Sequence, residues 1–180
     1  MPLNIMQKNN ITFTNILIAI TVAMYVVQIN MQYGTVYMGL NLYFVEQNFW
    51  WQPLTTMFAH GGIGHLGMNM FVLYQFGNPI EKYRGVKTLV ILYLVGGLLT
   101  SLLSYAFMAS VGFQHNLVGA SGAISVLLGY FALKDASQRK GIITWVLIIS
   151  VAPLLIGLPI AWYAHFIGLA LGFIIGKFIR

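Results

Sequence analysis

Seven polar side chains stand inside otherwise apolar sequence: His60, His65, Asn69, Gln75, Ser121, Ser125 and His165. A hydroxyl and an imidazole are enough for nucleophilic catalysis, the imidazole acting first as general base and then as general acid. Ser121 sits in Gly119-Ala120-Ser121-Gly122, directly after a polar break and at the start of an apolar run. A Ser at the start of a helix lies among backbone N–H groups that lack partners, and that end favours developing negative charge. Gly119 and Gly122 allow a sharp turn and close approach of a substrate backbone. By itself a G-x-S-G run is a weak signal, because small residues around Ser are common in membrane helices.

His165 supplies the context. It opens the series His165, Gly168, Gly172, Gly176, while Ser121 opens the series Ser121, Ser125, Gly129. Both series follow a helical period, and small residues facing each other let two helix backbones approach closely. A Ser–His contact made from two separate helices needs such an approach, although the same glycines would pack helices without any catalysis. His65 and Asn69 are spaced i, i+4 and share one helix face. With the Ser121 amide they could donate hydrogen bonds to a tetrahedral oxyanion. Equally, they could be a polar pair bonding a neighbouring helix.

Counting the remaining titratable groups narrows the chemistry. The acids are Glu46, Glu81 and Asp135, none of them inside the same apolar layer as His165, so the expected arrangement is a dyad and not a triad. Zinc proteolysis needs a pattern such as H-E-x-x-H, and His60 to His65 is H-x-x-x-x-H without Glu. Intramembrane aspartyl chemistry needs two Asp, and the chain has one. There is no Cys, so thiol catalysis, disulfides and thiolate metal sites are excluded. No metal and no organic cofactor are expected.

These residues have to be positioned by helices in a bilayer. The chain has 180 residues, with nine Lys/Arg and three Asp/Glu, 59% hydrophobic residues and a mean hydropathy of +0.82. A soluble domain of this length would carry roughly 45 charged residues. Residues 9–45, 47–80, 88–133 and 141–176 contain no charge, and each is long enough for one or two spans of about 20 residues. The 88–133 stretch divides at the polar break Gly112-Phe113-Gln114-His115-Asn116, and 141–176 divides at Gly157-Leu158-Pro159. The expected fold is all-α and integral to the membrane, one domain over residues 1–180 with spans near 11–30, 62–79, 87–108, 120–134, 142–157 and 160–178. The first apolar run ends in Gln28-Ile29-Asn30 without a cleavage signal and reads as a retained helix. The net charge of +6 gives no nucleic-acid footprint, since the basic residues are sparse and separated by apolar runs.

Lys8, then Lys82, Arg84 and Lys87, then Lys134, Arg139 and Lys140, and finally Lys177 and Arg180 all fall on one side of such a bundle. The positive-inside rule puts that side, and both termini, in the cytoplasm. Residues 31–61 form a long, nearly uncharged connection rich in Tyr, Phe and Trp, expected in the outer interface. Measured from the cytoplasmic charges at about 1.5 Å per residue, Ser121 lies about 20 Å up, His165 and Asn69 about 18 Å and His65 about 24 Å. Four polar groups from three helices thus share one layer. Polar side chains at that depth are costly and point to function.

The residues just described resemble a rhomboid intramembrane serine protease. The resemblance runs in order through Trp51-Gln52, His60, His65-x-x-x-Asn69, Glu81-Lys82-Tyr83-Arg84-Gly85, Gly119-Ala120-Ser121-Gly122 and Ala164-His165-x-x-Gly168-x-x-x-Gly172. It is closest in kind to the compact bacterial six-helix form, without an added cytoplasmic domain or seventh helix, and implies a bacterial inner membrane. It implies Ser121 as nucleophile and His165 as its base. His65, Asn69, Gly119 and the Ser121 amide would then line the oxyanion and substrate site, with His60, Gly122, Ser125, Gly168 and Gly172 in support. Substrates would be single-pass membrane proteins, admitted by movement of span five and the cap loop around Gly157-Leu158-Pro159. In this family an aromatic residue often stands four positions after the nucleophile and stacks on the base; here it is Ser125, which leaves open how His165 is held. Gln52 also stands where Arg is frequent. The alternatives are an inactive rhomboid-like binder of membrane helices, which predicts loss of Ser or His, and a small transporter, which predicts a polar path below Asn69 and Ser121. Both reacting residues are present, and below that layer Gln75 is nearly alone.

Overall fold

The computed structural model describes residues 11–157 and 160–179. Lys8, Arg180 and the Leu158-Pro159 part of the expected cap loop lie outside the described residues. Among those described the chain is helical, its one β feature being an isolated antiparallel bridge between Leu40 and Leu117. In order the helices are α1 (Phe13–Asn30), three short turns α2 (Gly34–Met38), α3 (Tyr43–Glu46) and α4 (Gln52–Thr55), and then α5 (Ile63–Arg84). Next come α6 (Val86–Val90), a π-helical stretch (Ile91–Val95) and α7 (Gly96–Val111), which together form one continuous helix, followed by α8 (Ser121–Lys134), α9 (Ala136–Leu155) and α10 (Trp162–Phe178). Phe13–Asn30, Val86–Val111 and Ala136–Leu155 are long and apolar enough to cross a membrane, and α8 and α10 are shorter apolar helices.

Two boundaries differ from the sequence expectation. Helix α5 does not stop at residue 79 but continues through Pro79 to Arg84, so Lys82 and Arg84 occupy its last turn. Proline removes a single ladder donor, and the apolar Ile80, 1% exposed, is still buried in the core. Helix α9 begins at Ala136, six residues earlier than expected, because the Asp135 carboxylate caps its first turn by accepting from the Ser137 amide at 2.9 Å. Asp135 is held below the usual carboxylate range, first by the Ser137 hydroxyl.

The start of α1 is tied to the end of α5. Glu81 accepts from the Phe13 amide at 2.7 Å and from both the amide and hydroxyl of Thr14 at 2.8 Å. One carboxylate thereby serves unpartnered donors at a helix N-terminus and complements its dipole. At the opposite end, Gln28 bonds both backbone groups of His60, its Oε1 accepting from the amide at 2.8 Å and its Nε2 donating to the carbonyl at 2.8 Å.

Residues 31–61 form an ordered cover. Leu40 and Leu117 exchange backbone hydrogen bonds at 2.8 and 2.9 Å, and Thr56 donates its hydroxyl to the Leu117 carbonyl at 2.6 Å. Tyr37, Phe49 and Trp51 stack in sequence, while Tyr33, Trp50 and Trp51 remain exposed. The cover thus holds the strand-like residues just before α8, where Ser121 begins.

Helix α8 is the centre of the bundle, buried continuously from Ala123 to Tyr130. Its contact with α10 is set by glycine. A Cβ at Gly172 would strike the Val126 carbonyl and come within 2.8 Å of Gly129 Cα, and one at Gly129 would strike the Leu169 carbonyl. The two glycine series read from the sequence therefore face each other.

Candidate active site

Ser121 is the first residue of α8, with no side chain capping that end. His165 lies in the first turn of α10. The close α8–α10 approach puts His165 Nε2 at 3.0 Å from Ser121 Oγ, a hydrogen-bonding distance. Gly168, one turn below His165, packs on Gly122 and Ser125, so any Cβ there would press on the Gly122 carbonyl and stand 2.9 Å from Ser125 Cβ.

The other imidazole nitrogen has a partner that the sequence reading overlooked. His165 Nδ1 lies 2.9 Å from the hydroxyl of Ser150, a fully buried residue of α9. The depth arithmetic contains the signal: Ser150 is ten residues above Lys140, about 15 Å, close to the layer of the other polar groups. No acid is needed there, and Glu81 and Asp135 are engaged at helix starts.

Asn69, on α5, is 6% exposed, and its Nδ2 is a buried donor without a partner. His65, one turn earlier, is exposed towards the same space, and its ring lies beside Gly119. Gly119 has φ +126°, and a Cβ on it would stand 2.9 Å from His65 Nε2 and 3.6 Å from Asn69 Nδ2. Glycine is therefore required there by both backbone conformation and space. Its amide donates to the Thr56 carbonyl at 2.9 Å, fixing the turn into α8.

His60 stands behind this turn rather than in it. Its Nε2 accepts from the Ala120 amide at 3.4 Å, its Nδ1 faces the Phe58 carbonyl at 3.2 Å, and its backbone is held by Gln28. Gln75 is apart from the dyad, lining a lower cavity with Phe76, Pro79 and Gln138.

A cavity of about 490 Å³ joins Ser121 and His165 to His65 and Asn69. Its polar end holds His65, Asn69, Asn116, Ser121 and His165, and it continues along Val72, Leu128, Trp145 and Ile149 between α5 and α9. His115 also lines the cavity, with Nδ1 2.9 Å from the Tyr163 hydroxyl, and burial pushes its pKa below the ordinary 6.5. Among the described residues no group of three His, Cys, Asp or Glu side chains is placed to hold a metal. Chemically, the site offers a hydroxyl against an imidazole, an unpartnered amide donor, an open helix N-terminus and an apolar groove leading to them.

Comparison with known proteins gives this constellation a family. Residues 47–180 match the family model described as the Rhomboid domain. Among curated proteins, the chain is similar to Rhomboid protease GluP of Bacillus subtilis, at 33% identity over 96 residues, which cover 53% of this chain and 18% of that protein. It is also similar to RHOMBOID-like protein 6, mitochondrial, of Arabidopsis thaliana, at 36% identity over 139 residues, covering 73% of this chain and 44% of that one. A third relative is Presenilin-associated rhomboid-like protein A, mitochondrial, of Danio rerio, at 32% identity over 88 residues, covering 49% of this chain and 23% of that protein. The chain thus spans less than half the length of these relatives. Bacterial and mitochondrial members both occur among them, so the kinship implies a membrane without specifying which one. With its apolar helices and a match over most of its length, the chain belongs to the rhomboid family.

Proposed function

We propose that this chain is an intramembrane serine endopeptidase that cuts single-pass membrane proteins in or near their transmembrane segments. The observation that carries the reading is the 3.0 Å contact between His165 Nε2 and Ser121 Oγ at the end of an apolar groove. Ser121 Oγ attacks the scissile carbonyl carbon while its proton passes to His165 Nε2. The oxyanion is met by the Asn69 amide, His65 and the Ser121 backbone N–H, donors already in place before the reaction. Collapse of the tetrahedral intermediate breaks the C–N bond, and His165 protonates the leaving amine. Water then attacks the acyl-enzyme, giving its proton to His165, which returns it to Ser121 as the carboxylic acid leaves. Gly119 keeps the space between oxyanion donors and nucleophile open, His60 braces Ala120, and Gly122, Ser125, Gly168 and Gly172 hold α8 against α10.

The reading includes a single membrane domain over residues 1–180. Its six crossings are the three long apolar helices with α5, α8 and α10, and the basic ends of α5, α8 and α10 are in the cytoplasm. This arrangement puts the Ser–His layer towards the outer face. The groove between α5 and α9 is the route for an entering helix.

The test is cleavage of a model single-pass substrate by purified protein in detergent, beside Ser121→Ala and His165→Ala. Both variants are expected to lose activity by about four orders of magnitude or more. Equal cleavage by wild type and Ser121→Ala would remove the catalytic reading and leave a binder of membrane helices.

A further inference from the structure

Hydroxyls inside helices usually bond back to the carbonyl four residues earlier. Thr21, Thr88, Thr100 and Ser101 do so here, to Leu17, Arg84, Gly96 and Gly97. Ser150 instead reaches out of α9 to His165 Nδ1, 2.9 Å away on α10, with no exposed surface. A neutral imidazole has one nitrogen that donates and one that accepts. With Nε2 turned to Ser121 as acceptor, the proton is on Nδ1 and is donated to Ser150 Oγ. Ser125, small and packed against Gly168, supplies no aromatic face to hold the ring.

From these contacts we infer that Ser150 is a positioning residue, setting the tautomer and orientation of His165 and thereby tying the base to the seating of α9. The inference rests on the Ser121–His165 dyad proposed above. Among the three long apolar helices α9 is the least covered, with 17% of its apolar window buried, and its residues Trp145, Ile149 and Pro153 face the groove. A helix that enters by pushing α9 aside carries Ser150 away with it. The imidazole then loses its acceptor and is free to turn from Ser121. Chemistry resumes when α9 reseats against the bound substrate, so the base is armed only in the closed site.

The experiment compares Ser150→Ala, Ser150→Val and Ser150→Thr with wild type, Ser121→Ala and His165→Ala, measuring kcat and KM on one model single-pass substrate. A hydrogen bond to a group that becomes charged sets the scale, so Ala and Val should lower kcat about ten- to a hundredfold while KM stays put. Thr, which has the size of Val and keeps the hydroxyl, should restore most of kcat. Equal rates for Thr and Val, a loss confined to KM, or wild-type kcat in Ser150→Ala would overturn the assignment while leaving the dyad intact. Activity surviving in Ser121→Ala or His165→Ala would overturn both. Should Ala and Val fail to fold, nitrogen-15 NMR of histidine-labelled wild type decides, with the His165 signals identified by their loss in His165→Ala. A proton on Nδ1 is required, and a proton on Nε2 overturns the inference.

Discussion

Replacing Gly168 by Ala adds one methyl group, and the surroundings allow its consequence to be worked out. The new carbon would press on the Gly122 carbonyl and stand 2.9 Å from Ser125 Cβ, whereas carbon atoms are at ease about 3.5–4.0 Å apart. The obstructing atoms are backbone and a Cβ, which cannot swing aside. Helix α10 must therefore move off α8 by roughly half to one ångström. Since Gly122 follows Ser121 and Gly168 lies one turn below His165, that separation falls on the dyad, stretching its 3.0 Å contact beyond hydrogen-bonding reach. Overpacking of this kind costs about 1–3 kcal/mol, offset by about 1 kcal/mol from the better helix propensity of Ala. Net stability should fall by no more than about 2 kcal/mol, while a displacement near 1 Å at reacting atoms lowers the rate about a hundredfold. Peptide cleavage and thermal unfolding, run together on Gly168→Ala, should show a large loss in kcat beside a small loss in stability. Gly67→Ala is the control, because a Cβ there meets nothing within 4 Å and should leave both nearly unchanged or raise stability. If Gly168→Ala cleaves as fast as wild type, the glycine contact does not set the Ser–His distance and the account of the site is wrong.

Asn69→Ala removes a donor that has no partner in the resting protein, so its unfolding temperature should hold while kcat falls about 10²–10³-fold. A drop in stability with unchanged kcat would make Asn69 a structural residue instead. Glu81→Gln keeps one acceptor oxygen where two carboxylate oxygens serve Phe13 and Thr14, and should cost about 1–2 kcal/mol in detergent unfolding. An unaltered unfolding curve would mean that α1 is seated by packing alone. Because the chain has no Cys, single cysteines report topology: Phe113→Cys should react with an impermeant maleimide from outside the cell, and Ser137→Cys only after permeabilisation. The reverse pattern would invert the proposed orientation.

Much of the site was legible because its signals are local or additive along one helix. The periods of Gly168, Gly172 and Gly176 against Ser125 and Gly129 depend only on helix geometry, and the structure sets those faces together. Distance from the charged helix ends placed Ser121, His165, Asn69 and His65 in one layer, and the site cavity brings these four residues together. Helix ends were less legible. The second span was expected to end near residue 79, but burial of Ile80 and the seat that Glu81 makes for α1 carry the helix on, outweighing the ladder bond lost at Pro79.

By itself, then, the sequence determined a membrane-embedded helical chain of the rhomboid kind, its candidate nucleophile and base, and the faces that let their helices meet. Tertiary structure alone decided what each polar group does once there. It made His60 a brace behind Ala120, left the Asn69 amide open to the cavity, and turned Ser150 onto His165 Nδ1. The physical reason is that sequence period fixes which residues share a face of one helix. The rotation of that helix about its own axis, which selects the neighbour its hydroxyl meets, is settled only when all the helices pack at once.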